Sequence, residues 1–322
     1  MAKKLRTSKI WEPAFPADVA ADEFFARLTA SELSEVQFSN FDEFVQNVFS
    51  KSWPEFSFNT WHIRLMSEVF QRVIDSETNK YMLAVIPRYH LKSSVLGYAS
   101  SIYRMLTSSG EGLYVSYKEE LAGIHLFHVK EAIRKNEALS KIMKDLAPQS
   151  DSIINYQTGK RRNKIYSAGI LGVKRGLHTQ TICVCDDLMG DLQNPMTFTE
   201  IEKTIRIFDA ELMNIPNKNC PLVVFGTVIA NDDLLFDLRK KEKFNKNMVW
   251  MPAEYPDGEH DVLWEDMYPK AWLEQRKIDT SWKAYSTEFL LVPVMATEAF
   301  FQEKQLSSVV DKDLVDFKVP GF

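Results

Sequence analysis

Glycine is scarce in this chain, twelve in 322 residues, and the scarcity falls where it matters most: the stretch YMLAVIPRYHLKSS, Tyr81 to Ser94, has none. Cysteine is scarcer still. Three residues, Cys183, Cys185 and Cys220, are too few for a disulfide framework, and a Cys-x-Cys metal half-site lacks partner ligands at suitable spacing. The first two alternate along an apolar run, where they read as small buried residues. There is no run of about 18 or more uncharged apolar residues, and the opening MAKKLRTSKIWEPAF carries basic residues with no apolar stretch behind them, which leaves neither a membrane span nor a secretory signal. The chain is expected in the cytoplasm where it is made. Positive charge is not in excess either: 39 Lys and Arg against 44 Asp and Glu give a net charge of −5. That excludes a protein coating nucleic acid by bulk charge, so any contact with DNA must be local. The clusters GKRRNK (159–164) and RKKEKFNK (239–246) read as solvated turns or helix ends.

What is present suffices for a sizeable core, with 45% hydrophobic and 26% charged residues. Residues 1–60 form a helical segment by their three- and four-residue apolar spacing, with Ser39 or Asn40 as cap of the second helix. From about residue 61 short apolar strands alternate with amphipathic helices. The strands are expected at 82–87, 111–117, 163–169, 181–187 and 221–228, and the helices at 92–106, 118–144 and 197–213. Near-continuous apolar strands separated by helices imply a mainly parallel sheet covered on both faces, an α/β fold. The reading assigns 61–248 to this core, 249–300 to a small, aromatic, Pro-punctuated lid, and 301–322 to a linker-like tail.

Three strand ends carry candidate chemistry. The first runs into PRYHLKSS, where Lys92-Ser93 stands as in the phosphate-loop pattern G-x-x-x-x-G-K-[ST] and Ile86 and Leu91 occupy the two glycine positions. Such a loop follows a strand and opens a helix, so that backbone N–H groups converge on phosphates. Arg88 and His90 could supply donors that replace the glycine backbone. The other reading is a strand, turn and helix whose Lys-Ser merely begins the helix. The second strand, TICVCDD, ends in Asp186 and Asp187, the form needed to hold Mg²⁺ with one carboxylate and to orient a water with the next. A capping acid pair is the plainer account. The third ends in Gly226-Thr227, where a threonine could sense a γ-phosphate, or simply close a strand.

The order of these motifs resembles the ATPase domain of the large terminase subunit of tailed bacteriophages, a P-loop NTPase of the RecA-like type. The likeness rests on Trp61-His62 in NTWHIRLMSEVF, on PRYHLKSS, on KRGLHTQTICVCDDL, on VVFGTVIANDDLL and on KAYSTEFLLVP, over roughly residues 55–300. It implies ATP and Mg²⁺ as ligands. Trp61, His62, Pro87, Arg88, Tyr89, His90, Leu91, Lys92, Ser93 and Ser94 would surround the nucleotide. Ser93 and Asp186 would hold the metal, Lys92, Arg88 and Asp187 would be catalytic, and Gly226-Thr227 would couple nucleotide state to motion. Arg161, Arg162 and Arg175 are candidates for an arginine acting on a neighbouring subunit. The resemblance further implies double-stranded DNA, a portal protein and a small terminase subunit as partners. It implies a homo-oligomeric ring, a pentamer, on the procapsid in the host cytoplasm, with a monomer as the alternative in solution. Few residues follow position 300, so no nuclease activity is expected of this chain. A helicase-type ATPase and a non-catalytic nucleotide-binding assembly protein are the rival readings.

Overall fold

Alternation within the strands decides how the layers stack. Met82, Ala84 and Ile86 join one apolar cluster with Val184, Val223 and Phe225, while Leu83 and Val85 join a second with Cys183, Cys185, Leu222 and Val224. Successive side chains of a strand point to opposite faces, so these runs can be satisfied only between two helical layers. The computed structural model describes residues 36–173, 176–190, 196–255 and 261–293. Its strands are β1 (Tyr81–Val85), β2 (Gly110–Ser116), β3 (Lys144–Asp145), β4 (Ile153–Thr158), β5 (Arg161–Gly169), β6 (Cys183–Asp186), β7 (Leu222–Gly226) and β8 (Met248–Trp250). They form one sheet in the order β3-β4-β5-β2-β6-β7-β1-β8, parallel from β5 to β8, with β3 and β4 antiparallel at one edge.

On the first face lie α1 (Phe41–Asn47), α2 (Trp61–Asp75), a π-helical stretch (Ser93–Ala99) that continues as α3 (Ser100–Thr107), α4 (Glu119–Lys135) and α5 (Glu137–Ile142). On the second lie α6 (Phe198–Ala210), α7 (Leu234–Lys240) and α8 (Glu242–Asn245). A third, small cluster of Ala253, Val262, Leu273, Tyr285 and Phe289 gathers α9 (Lys270–Asp279) and α10 (Trp282–Glu288).

All five expected strands are present within a few residues of their expected ends. Three further strands were not anticipated. β4 alternates half-buried and buried residues and pairs with β5 through a turn at Gly159, φ 59°. The three-residue β8 is too short to show a period. The helix expected over 118–144 is two, because Asn136 ends α4 and caps α5 by accepting from the Leu139 N–H at 3.2 Å. Asn40, rather than Ser39, caps α1, accepting from the Glu43 N–H at 2.9 Å. Residues 1–35 and the tail 301–322 lie outside the described residues.

Candidate functional site

Strands β6, β7 and β1 are neighbours and run the same way, which brings the three motif-bearing strand ends to one edge of the sheet. Ligands of open α/β sheets bind beyond such carboxyl ends. A cavity of about 300 Å³ opens there, lined among others by Arg88, Lys92, His125, Asp187, Thr227 and Glu288.

The loop that leaves β1 does without glycine by placing other residues in glycine's backbone region. Tyr89 has φ 70° and Leu91 φ 57°. Left-handed backbone costs a residue with a Cβ about 1–2 kcal/mol, so outside contacts must hold it. Ile86, at the first glycine position, keeps an ordinary φ and donates its N–H to the Gly226 carbonyl at 3.2 Å. The holding contacts come from α10 and its surroundings. The Arg88 N–H donates to the Glu288 carbonyl at 3.2 Å, and Arg88 Nη1 lies 3.0 Å from Glu288 Oε1. The Tyr89 ring sits near Tyr268 and Phe289. Within the loop, His90 Nδ1 donates to the Arg88 carbonyl at 2.8 Å. The outcome is a buried Lys92 whose Nζ is 3.4 Å from Asp187 Oδ2.

Asp186 and Asp187 diverge from the end of β6. Asp187 also takes a left-handed backbone, φ 45°, and its Oδ1 accepts the Thr227 N–H at 3.0 Å. A Cβ on Gly226 would stand 2.8 Å from that oxygen, which explains why glycine is needed there. The Thr227 hydroxyl donates to the Ile86 carbonyl at 3.2 Å, tying the end of β7 to the end of β1. Asp186 is fully buried on the first face, and burial raises its carboxyl pKa, opposed chiefly by His125. Its Oδ1 accepts from the Ser93 hydroxyl at 3.2 Å, and its Oδ2 from the Tyr114 hydroxyl at 2.7 Å, with His125 Nε2 at 3.5 Å.

Ser93 and Asp186 do not line the cavity themselves but are hard oxygen donors next in the chain to Lys92 and Asp187, which do, and such a pair suits Mg²⁺ held by few protein groups. Among the described residues there is no cluster of three or more His, Cys, Asp or Glu side chains able to hold a metal unaided. A magnesium ion that completes its shell with water and phosphate oxygens fits that donor set.

Several expected site residues lie elsewhere. His62 and the loop's own His90 have buried side chains packed with Trp264, their ring centroids 6.0 Å apart, outside the cavity lining. Burial lowers their pKa values to about 3 and about 4 respectively. Trp61 is partly exposed and packs on Tyr255. Pro87 is buried and Ser94 half-buried. Arg161 was a candidate for an arginine presented to a neighbour. It is buried, with Nη1 donating to the Leu106 carbonyl at 3.1 Å, and it starts β5 at the opposite end of the sheet from the cavity. Arg162 is exposed at that same far end. Arg175 is outside the described residues. Tyr114, His125 and Glu288 were missed. Tyr114 was within reach, because β2 and β6 pair Ser116 with Asp186 and alternation puts Tyr114 on the Asp186 face. Glu288 lies within KAYSTEFLLVP, but nothing in that stretch marks it as a partner of Arg88, and His125 shows no signal in the sequence.

The parallel sheet, with a loop and helix following one strand and an acid pair ending its near neighbour, has the P-loop NTPase fold. Known structures agree. The chain is similar to the large terminase of a thermophilic bacteriophage solved with ADP, with a TM-score of 0.50 and 12% identity, covering 76% of this chain and 56% of that one. A second crystal form of that terminase gives the same values. The HK97 bacteriophage large terminase aligns at a TM-score of 0.48 and 14% identity, over 84% of this chain and 50% of that one. The chain thus spans about half the length of these proteins. No family model and no curated protein matches the sequence.

Proposed function

We propose that this chain is an ATP-hydrolysing motor domain of the large-terminase kind, which uses ATP to move double-stranded DNA into a procapsid. The observation that carries the reading is the meeting of two non-consecutive segments: Lys92 and Asp187 pair in the lining of one cavity, and the residues next to them in the chain, Ser93 and Asp186, are hydrogen-bonded to each other. The terminase likeness in fold supports it, and so does the ADP bound to one of those proteins.

In this reading the Lys92–Asp187 ion pair marks where the γ-phosphate binds. Phosphate oxygens take over the Lys92 ammonium and free Asp187 Oδ2 to accept a hydrogen bond from the attacking water. Asp187 Oδ1 stays anchored on the Thr227 N–H, so the carboxylate can aim. Water attacks the γ-phosphorus, the bond to the β–γ bridging oxygen breaks, and ADP and phosphate leave. Arg88, beside the cavity and paired with Glu288, stabilises charge on the transferring group. Ser93 and Asp186 would hold magnesium, which would supply positive charge against the phosphates. DNA, portal protein, small subunit and a ring of copies are the partners this function requires, in the host cytoplasm. Among the described residues no helix is long and apolar enough to cross a membrane.

The test is steady-state phosphate release from ATP and Mg²⁺, with and without double-stranded DNA. The expected result is turnover abolished by Lys92→Ala and by Asp187→Ala. No turnover, with nucleotide affinity unaltered in the Lys92 variant, would sink the proposal. Turnover stimulated equally by single-stranded nucleic acid would favour a helicase-type motor.

A further inference from the structure

Asp186 has two carboxylate oxygens, and the structure treats them differently. Among the described residues Oδ1 accepts a hydrogen bond only from the Ser93 hydroxyl, at 3.2 Å. Oδ2 meets the Tyr114 hydroxyl at 2.7 Å and His125 Nε2 at 3.5 Å. We infer that Tyr114 and His125 are positioning residues that hold Oδ2 and thereby present Oδ1, together with Ser93, to the divalent cation. The inference rests on the metal role proposed above for Ser93 and Asp186.

Three features of the packing converge on this arrangement. Gly97, in the π-helical stretch, has no Cβ, and one built there would collide with the Tyr114 hydroxyl. The absent side chain is thus what lets that hydroxyl reach Asp186, and π-helical turns recur at functional sites. The His125 ring stacks on Tyr114, centroids 5.3 Å apart, and His125 Nδ1 lies 2.8 Å from the Tyr98 hydroxyl, which fixes the rotation of the imidazole. His125 also lines the cavity.

The chemistry of such an arrangement is that of an outer layer. A carboxylate free to rotate offers either oxygen and dilutes the geometry a small octahedral cation demands. Removing an outer partner of a metal ligand typically lowers metal affinity about 10- to 100-fold.

The experiment measures Mn²⁺ affinity of the full chain with ADP by electron paramagnetic resonance, and ADP affinity separately in EDTA. Variants are Tyr114→Phe, which keeps the ring, His125→Asn, Tyr98→Phe, which frees the imidazole without entering the cavity, and Asp186→Asn as reference. The expected result is Mn²⁺ affinity about tenfold weaker for Tyr114→Phe and His125→Asn, a smaller loss for Tyr98→Phe, and metal-free ADP affinity unchanged in all. Gly97→Ala, with thermal unfolding recorded alongside, should reproduce the Tyr114→Phe loss by pushing the hydroxyl away. Mn²⁺ affinity within twofold of the parent for both Tyr114→Phe and His125→Asn, while Asp186→Asn loses it, overturns the positioning role alone. Unchanged affinity in Asp186→Asn as well overturns the metal site itself, and the positioning role with it.

Discussion

The two halves of the candidate site reach their geometry by opposite routes. The loop from Pro87 to Lys92 is held from outside. Two of its residues occupy left-handed backbone, and contacts from Glu288, Tyr268 and Phe289, nearly two hundred residues away, keep them there. The strand end at Asp186 and Asp187 is held from inside the sheet, by Tyr114 on β2, the Thr227 N–H after β7, and the space left at Gly226 and Gly97. Glycine is therefore present around the carboxylates, where room is needed, and absent from the loop, where conformational freedom is customary. A missing glycine does not forbid a glycine-like backbone if tertiary contacts offset the strain.

The sharpest way to break that comparison is to remove the charged group each half contributes. Arg88→Ala on the loop and Asp187→Asn on the strand end should each lower kcat on the order of 10³-fold or more. Near-normal turnover in either, measured by phosphate release, would show that half to be dispensable. Next in size is Gly226→Ala. Its methyl would press on Asp187 Oδ1, and the reoriented carboxylate should cost about 10- to 100-fold in kcat with a smaller change in KM. An unchanged kcat would mean that the strand end has slack the structure does not show.

Acid should act on the loop half through buried His90, one of its own residues, and His62 packed near it. Their folded pKa values, lowered by burial to about 3 and about 4, lie below the ordinary 6.5. As pH falls below 6.5 the unfolded chain takes up protons that the folded chain refuses. Stability is thus fully present above pH 6.5 and is lost on acidification towards pH 3–4. At pH 5 each group should withdraw about 2 kcal/mol. Urea unfolding at pH 7 and pH 5 should show this loss, and His90→Gln should reduce it by roughly half. Equal pH dependence in parent and variant would exclude His90 as a source.

The smallest effect isolates the backbone strain. Tyr89→Ala and Tyr89→Gly both delete the ring, but only glycine relaxes φ 70°, so the glycine variant should be more stable by about 1 kcal/mol. The same order should hold for the Ala and Gly variants at Leu91. In an unstrained helix such as α4 the order reverses, with glycine worse by about 1 kcal/mol. Urea midpoints that place alanine above glycine at Tyr89 and Leu91 would remove strain from the account of the loop.

Much of the fold was legible because its signals are local. Strands such as LVVFG stand out as short apolar runs and helices such as that over 198–210 show their period within a dozen residues, and a strand's alternating geometry assigns each side chain a face. Lys92, Ser93, Asp186 and Asp187 could be singled out because a strand end is a predictable place for a ligand group. The small strands β3 and β8 were not legible, since two or three residues carry no period.

The sequence by itself determined the alternating α/β order, the two-faced parallel strands and the residues offered at three strand ends, because backbone periodicity and burial act over neighbouring residues. Only the tertiary structure decided that those ends share one cavity and that Tyr89 and Leu91 turn left-handed. It alone put Arg88 beside Glu288, placed Tyr114 and His125 on Asp186, and buried Arg161 and His62. Each of those outcomes depends on contacts between residues distant in the chain, whose closeness is set by strand order and no local pattern encodes.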